Sequence, residues 1–88
     1  MLLSTARAPA PATVASYMRR WKQWAVFAEF HQIDDLPADP SHVAAFALAR
    51  VDSGVSVATI EANLSAIRWI HRRTTDVREV SAEARHLL

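Results

Sequence analysis

The chain lacks cysteine altogether and contains a single glycine among its 88 residues. Without cysteine it forms neither a disulfide nor a thiolate zinc site, and it has no cysteine nucleophile. A single glycine excludes the glycine-rich loops that bind dinucleotides and nucleoside triphosphates, and the strand–turn–helix that presents a serine nucleophile between two glycines. These absences remove several common classes of enzyme.

Long apolar runs and metal-ligand spacings are also missing. No stretch approaches the roughly 20 apolar residues of a membrane-spanning helix, and the N-terminus does not resemble a secretory signal. None of the four histidines pairs with another at the spacing of a helical metal site. They are His31, His42, His71 and His86. The sequence therefore predicts no metal, no cofactor and no membrane partner, and a cytoplasmic location is expected.

Few side chains suit catalysis. Tyr17, the only tyrosine, lies among the apolar residues of a predicted helix, so we expect it in the core rather than as a nucleophile. Asp34 and Asp35 are neighbours in a predicted loop and do not form the facing pair that acid–base catalysis needs. The chain is therefore expected to carry no catalytic residue and not to be an enzyme by itself.

Hydrophobic residues make up 51% of the chain, and three of them are tryptophan. Alanine is abundant and strand-like alternation is absent, which predicts an all-α fold. The length is that of one domain. Residues 1–12 contain two prolines and are expected to form a flexible N-terminal arm, followed by a helical domain over residues 13–88.

The first two predicted helices have recognisable start signals. Thr13 is expected to cap a helix that ends near His31. The apolar face of this helix contains Val14, Tyr17, Met18, Trp21, Trp24, Ala25 and Ala28. A second helix is predicted to begin with Asp39 as the cap and Pro40 in the first turn, where the missing N–H of proline costs nothing, and to end near Asp52.

Two further helices are predicted in the C-terminal half. Gly54 is expected to stop the second helix in a left-handed conformation, and Ser56 to cap a third helix that reaches Arg73. A break over residues 74–76 is expected before a fourth helix, which starts either at the end of the break or at Ser81. The chain ends on two leucines without a stop signal, so the natural protein is expected to continue.

From Thr13 to Arg73 the chain is similar to the core-binding domain of tyrosine recombinases and phage integrases, and in particular to Cre-like members. An aromatic first helix, a Leu-Pro-Ala loop and the later apolar positions follow in the family's order and spacing. The matching residues are Trp21, Trp24, Phe27, Leu36, Pro37, Ala38, Val43, Phe46, Gly54, Val55, Ser56, Thr59, Ile60, Leu64, Ser65, Ala66, Ile67, His71, Arg72 and Arg73. They span about two thirds of the chain.

This resemblance implies a compact four-helix orthogonal bundle, the SAM-like core-binding fold. Such a domain covers one face of double-stranded DNA, while a covalently linked C-terminal catalytic domain covers the other face and holds the nucleophilic tyrosine. The expected function is DNA binding in site-specific recombination or integration. Other recombinase protomers on the same DNA are further expected partners.

The resemblance also places DNA contacts on the first and third helices. The predicted DNA-binding residues are Thr13, Ser16, Arg19, Arg20, Lys22, Thr59, Asn63, Arg68 and Arg72. Arginine and lysine neutralise phosphates, and hydroxyl and amide groups bond to phosphates or base edges. Ala58 and Ala62 occupy positions where Cre-like members carry longer polar side chains, so weaker base reading by the third helix is expected.

Two other functions stay open on sequence grounds, because a net charge of +1 does not by itself indicate a nucleic-acid-binding protein. One is a helical protein-interaction module that docks a partner through Trp69 and the terminal leucines. The other is a regulatory helix-turn-helix protein whose turn is the segment 52–55. For each arginine, a plain role in solubility competes with a role in phosphate binding.

Overall fold

A computed structural model describes the backbone of residues 10–87 and the side chains of residues 10–74. Within this part of the chain the structure contains three helices and no strand, which confirms the all-α prediction. They are α1 (Pro11–His31), α2 (Pro40–Asp52) and α3 (Val57–Leu87). Both α1 and α2 pack against α3, so α3 is the central element to which the other two are fixed.

The first helix begins two residues before its predicted start. Ala10 is the N-cap, without a side-chain cap hydrogen bond, and Pro11 occupies the first turn, where proline already has the required φ angle. The prediction that Thr13 caps this helix is therefore wrong. Pro11 and Ala12 belong to α1 rather than to the predicted arm, and residues 1–9 lie outside the described residues.

Both predicted caps of the later helices are confirmed. The Asp39 carboxylate accepts hydrogen bonds from the N–H of Ser41 at 2.8 Å and from the Ser41 hydroxyl at 2.7 Å. Ser56 Oγ accepts from the N–H of Thr59 at 3.2 Å, and its hydroxyl donates to Thr59 Oγ1 at 3.0 Å. These bonds satisfy donors that the first turn of a helix leaves unpaired.

The ends of α1 and α2 close with the same left-handed turn. Gln32 and Gly54 have φ angles of 56° and 81°. The next residues, Ile33 and Val55, each donate their N–H at 3.0 Å to the helix carbonyl five residues earlier. This arrangement satisfies carbonyl groups at the helix end and confirms Gly54 as the predicted stop.

The third helix is longer than predicted. The expected break at residues 74–76 does not occur, because α3 runs without interruption through 31 residues. Three helices are therefore present in the described residues where four were predicted. Threonine and aspartate each reduce helix propensity by about 0.7 kcal/mol or less, far below the ~3 kcal/mol of proline, so the segment does not stop a helix. Both predicted starts of a fourth helix lie inside α3.

The core forms where all three helices meet around Trp24. Its side chain has no exposed surface, and its ring contacts that of Phe46 edge-on with 5.5 Å between centroids. The indole N–H donates to the carbonyl oxygen of Asp35 at 3.0 Å, which fixes the α1–α2 loop to the core. Ala28 and Ile67 complete the buried centre. Partly buried residues packed around it are Trp21, Phe27, Ile33, Ala38, Val43 and Leu64.

The Asp39 cap is expected to make the stability of the fold depend on pH. The hydroxyl and the N–H of Ser41 lower the pKa of the Asp39 carboxyl below its usual value of 3.8. Because this pKa is lower in the folded state, the cap stabilises the protein fully above pH 3.8, and that stabilisation is lost as the pH falls through the lowered pKa.

The matched variant is Asp39→Asn, since asparagine also caps helices but does not titrate. Thermal unfolding followed by circular dichroism measures the melting temperatures of both proteins. The excess of the wild-type melting temperature over that of the variant should shrink as the pH falls from 3.8 through the lowered pKa. If the difference in melting temperature between the two proteins stays constant with pH, the assigned role of the Asp39 carboxylate is wrong.

Candidate nucleic-acid interface

The predicted contact residues of α1 differ in how freely they reach solvent. Thr13, Arg19 and Lys22 are exposed, whereas Ser16 and Arg20 are half-buried. Residues three apart on a helix lie about 60° apart around its axis, so such a row turns gradually away from the face on which it begins. The two exposed cations, Arg19 and Lys22, are the part of the row best placed to meet a large ligand.

Arg19 and Lys22 border one depression of about 390 Å³ between α1 and α2. Gln23 and Val26 complete its α1 side, and Arg50 borders it from α2. Arg50 is not among the contact residues predicted from the sequence. No local signal could have found it, because its position depends on how α2 packs against α1.

The side-chain amide of Gln23 connects all three helices. Its Oε1 accepts a hydrogen bond from Asn63 Nδ2 of α3 at 2.8 Å. The same oxygen accepts from Arg50 Nη2 of α2 at 3.4 Å. Gln23, which lines the depression, is thus held from two sides by the neighbouring helices.

Asn63 does not lie on the predicted DNA face. Its side chain has no exposed surface, and Nδ2 donates to the backbone carbonyl of Arg20 at 3.1 Å as well as to Gln23. The donor that a base edge would need is therefore used inside the protein. This corrects the prediction for Asn63, which joins α3 to α1 in this structure.

The other predicted contacts of α3 are also restricted. Thr59 is half-buried, and its N–H and its Oγ1 both take part in the helix cap with Ser56. Ala58 is exposed and Ala62 is half-buried, but neither has a group that reads a base edge by hydrogen bonding. The start of α3 therefore presents few of the polar groups that sequence-specific DNA reading requires.

Arg68 and Arg72 border a different surface. Together with His71 they line one side of a largely apolar groove of about 550 Å³ between α2 and α3, whose other lining residues include Val43 and Ile67. This groove shares no lining residue with the α1–α2 depression. Four of the five predicted cations thus fall into two separate groups, Arg19 with Lys22 and Arg68 with Arg72, while Arg20 borders neither surface.

Acidic residues limit the basic surface on one side. Lys22 also borders a second depression, which it shares with Glu29, Asp34 and Asp35. A phosphate close to these carboxylates would be repelled, and the repulsion is strongest within about 10 Å at moderate ionic strength. A phosphate would therefore bind Lys22 more favourably from the depression that Lys22 shares with Arg19 and Arg50.

Other kinds of site find no support in the described part of the chain. Among these residues, no three side chains of histidine, aspartate or glutamate come together in a way that could hold a metal ion. No helix searched there is long and apolar enough to cross a membrane.

Comparison with known proteins gives one positive finding. Residues 2–78 match the family model described as phage integrase, N-terminal SAM-like domain. The matched range contains α1, α2 and most of α3. No curated protein and no solved structure shows significant similarity to the chain.

The buried amide of Asn63 leads to a stability prediction. The variant Asn63→Asp places a carboxylate oxygen against two acceptors, the Arg20 carbonyl and Gln23 Oε1. A buried group with no donor to satisfy its neighbours is costly, and more so when it is charged, so a loss of about 3 kcal/mol or more in unfolding free energy is expected. Urea denaturation at neutral pH measures this loss.

Glu61→Gln is the control, because Glu61 is exposed two residues earlier on the same helix. It should change the unfolding free energy by no more than about 0.5 kcal/mol. If the two variants were equally stable, the amide of Asn63 would not hold α3 to α1.

Proposed function

The chain belongs to the family of phage integrase N-terminal SAM-like domains, and we propose that it binds double-stranded DNA through the exposed cations of α1. The observation that carries this proposal is that Arg19 and Lys22 are both exposed and border the same depression. Cations on adjacent turns of one helix present two positive charges at a spacing of several ångströms. Such a pair suits the closely spaced phosphates of a DNA backbone.

The remaining predicted contacts contribute less to DNA binding in this proposal. The hydroxyls of Thr13 and Ser16 lie one to two turns before Arg19 and can extend the contact toward the start of α1. Arg20 and Thr59, both half-buried, contribute less. Arg68 and Arg72 are exposed at the other groove and are proposed as peripheral phosphate contacts. Asn63 is left out because it is buried.

In the full recombinase we assign catalysis to a separate, covalently linked C-terminal domain. The present domain would then act as one half of a clamp around DNA, positioning the duplex for strand transfer beside other protomers. Tyr17 does not serve as a nucleophile in this proposal, since it is half-buried and packs on Trp69 at 5.0 Å between ring centroids. A protein of bacterial or phage origin that works on DNA in this way would act in the cytoplasm.

Two alternatives lose support from particular contacts. A helix-turn-helix protein would read bases from the start of α3, yet Asn63 is buried and Thr59 is engaged in the cap. A protein-interaction module was expected to use Trp69, but this side chain packs against Tyr17 and lies 4.7 Å from the Arg73 guanidinium. The terminal leucines that completed that hypothesis lie outside the described side chains.

Binding by the isolated domain is expected to depend strongly on salt. We expect fluorescence anisotropy to detect binding to a labelled duplex at low salt and a steep loss towards physiological ionic strength. Arg19→Ala and Lys22→Ala should each weaken binding several-fold and lower the slope of log K against log salt by about one, because each removes one phosphate contact.

Arg73→Gln is the matched control. It removes the same charge from an exposed arginine that does not border the α1–α2 depression, so it should leave the slope close to that of the wild type. If the two α1 variants bind with an unchanged slope, or if the control weakens binding as much as they do, the assigned surface is wrong.

A further inference from the structure

The depression between α1 and α2 contains a third cation that lies outside the predicted contact set. Arg50, in the last turn of α2, borders it together with Arg19 and Lys22. We propose that this depression binds a phosphate of the DNA backbone in addition to those that Arg19 and Lys22 contact, and that Arg50 is the direct ligand of this additional phosphate. The inference rests on the proposed DNA binding and extends it to a second helix.

Arg50 is held in place before any ligand arrives. Its guanidinium carbon lies 5.5 Å from the centroid of the Phe46 ring, and its Nη2 donates to Gln23 Oε1 at 3.4 Å. Gln23 is itself fixed by the shorter bond from Asn63. An arginine held in this way loses little conformational entropy when it binds, which favours affinity.

The guanidinium keeps donors free for a ligand. It carries five N–H groups, of which one makes the long bond to Gln23, while Nε is buried without a partner. The terminal N–H groups that remain can form the forked pair of hydrogen bonds that suits two oxygens of a phosphate. Arg19 and Lys22 add positive charge at the opposite side of the depression.

The lining favours a phosphate over a base edge. Val26 has no hydrogen-bonding group, and the Gln23 carbonyl oxygen already accepts two bonds inside the protein. The polar side-chain groups that remain, the Gln23 Nε2 amide and the three cations, are all hydrogen-bond donors, which suits the acceptor-only oxygens of a phosphate. Arginine can also bond to the edge of guanine, but as a phosphate ligand Arg50 should raise affinity for all duplex sequences equally.

Fluorescence anisotropy with two labelled duplexes of unrelated sequence, across a range of salt, tests the site. Arg50→Gln should weaken binding to both duplexes by a similar factor, about three- to tenfold at low salt, and lower the salt slope by about one. Arg50→Met, which keeps the aliphatic stem over Phe46, should do the same. Arg50→Lys keeps the charge and should retain most of the slope.

Controls separate a phosphate contact from a structural role. Val51→Gln changes the exposed neighbour on α2 without removing a charge and should leave both the affinity and the slope unchanged. Circular dichroism melts of every variant show whether the fold is intact. If Arg50 had only a structural role, its substitution would change the melting temperature without changing the slope of log K against log salt.

The possible outcomes distinguish this inference from the proposed function. If both neutral Arg50 variants keep the wild-type slope while Arg19→Ala and Lys22→Ala lower it, the domain binds DNA but Arg50 does not contact a phosphate. If neutral Arg50 variants discriminate between the two duplexes, Arg50 reads bases and the phosphate assignment is wrong. If the wild-type protein binds neither duplex at low salt, both the proposed function and this site are refuted.

Discussion

The hydrogen bonds that converge on Gln23 determine how the three helices meet. Asn63 is fully buried, and a buried amide must find partners because leaving its donors unpaired costs roughly 1–3 kcal/mol. In this structure it satisfies them on α1, at the Arg20 carbonyl and at Gln23 Oε1. Sliding or rotating α3 against α1 would break both bonds, so the amide specifies one register. Apolar contacts alone specify a register less strictly.

The position of the basic residues is a consequence of that register. Arg50 reaches Gln23 because α2 packs against α3, the same helix that α1 packs against. The aromatic contacts of Trp24 with Phe46 fix α2 from the core side, and its indole N–H fixes the loop at Asp35. The convergence of cations from two helices thus depends on packing inside the domain rather than on their spacing in the sequence.

Local chemistry explains which features could be predicted from the sequence. The caps at Asp39 and Ser56 and the stop at Gly54 depend on neighbouring residues only, so their signals are complete within a short segment. Pro11 shows the same principle, because proline in the first turn explains why α1 begins before Thr13. The prediction of a break at residues 74–76 was wrong. Threonine and aspartate disfavour a helix only weakly, and the segment contains neither glycine nor proline.

Tertiary packing explains the predictions about the site that failed. A buried asparagine and an exposed one look the same in sequence, so the burial of Asn63 could be recognised only with α1 in place. Likewise Arg50 could not be grouped with Arg19, which lies 31 positions earlier in the chain, until the helices were packed. The apolar periodicity of α1 located the core around Trp24, but it could not show which polar residue would be buried beside it.

The separation of the cations into two groups bears on how such a domain contributes to a larger protein. The net charge is only +1, so long-range attraction to DNA is weak and the proposed binding has to depend on a few local contacts. A domain of this kind gains little by acting alone. In the proposed clamp, tethering to a second DNA-binding domain would give it a high effective concentration, and weak contacts would then add substantially to the overall affinity. The fixed position of Arg50 matters most in that proposed setting, because a tethered module would have to meet the phosphates in one orientation.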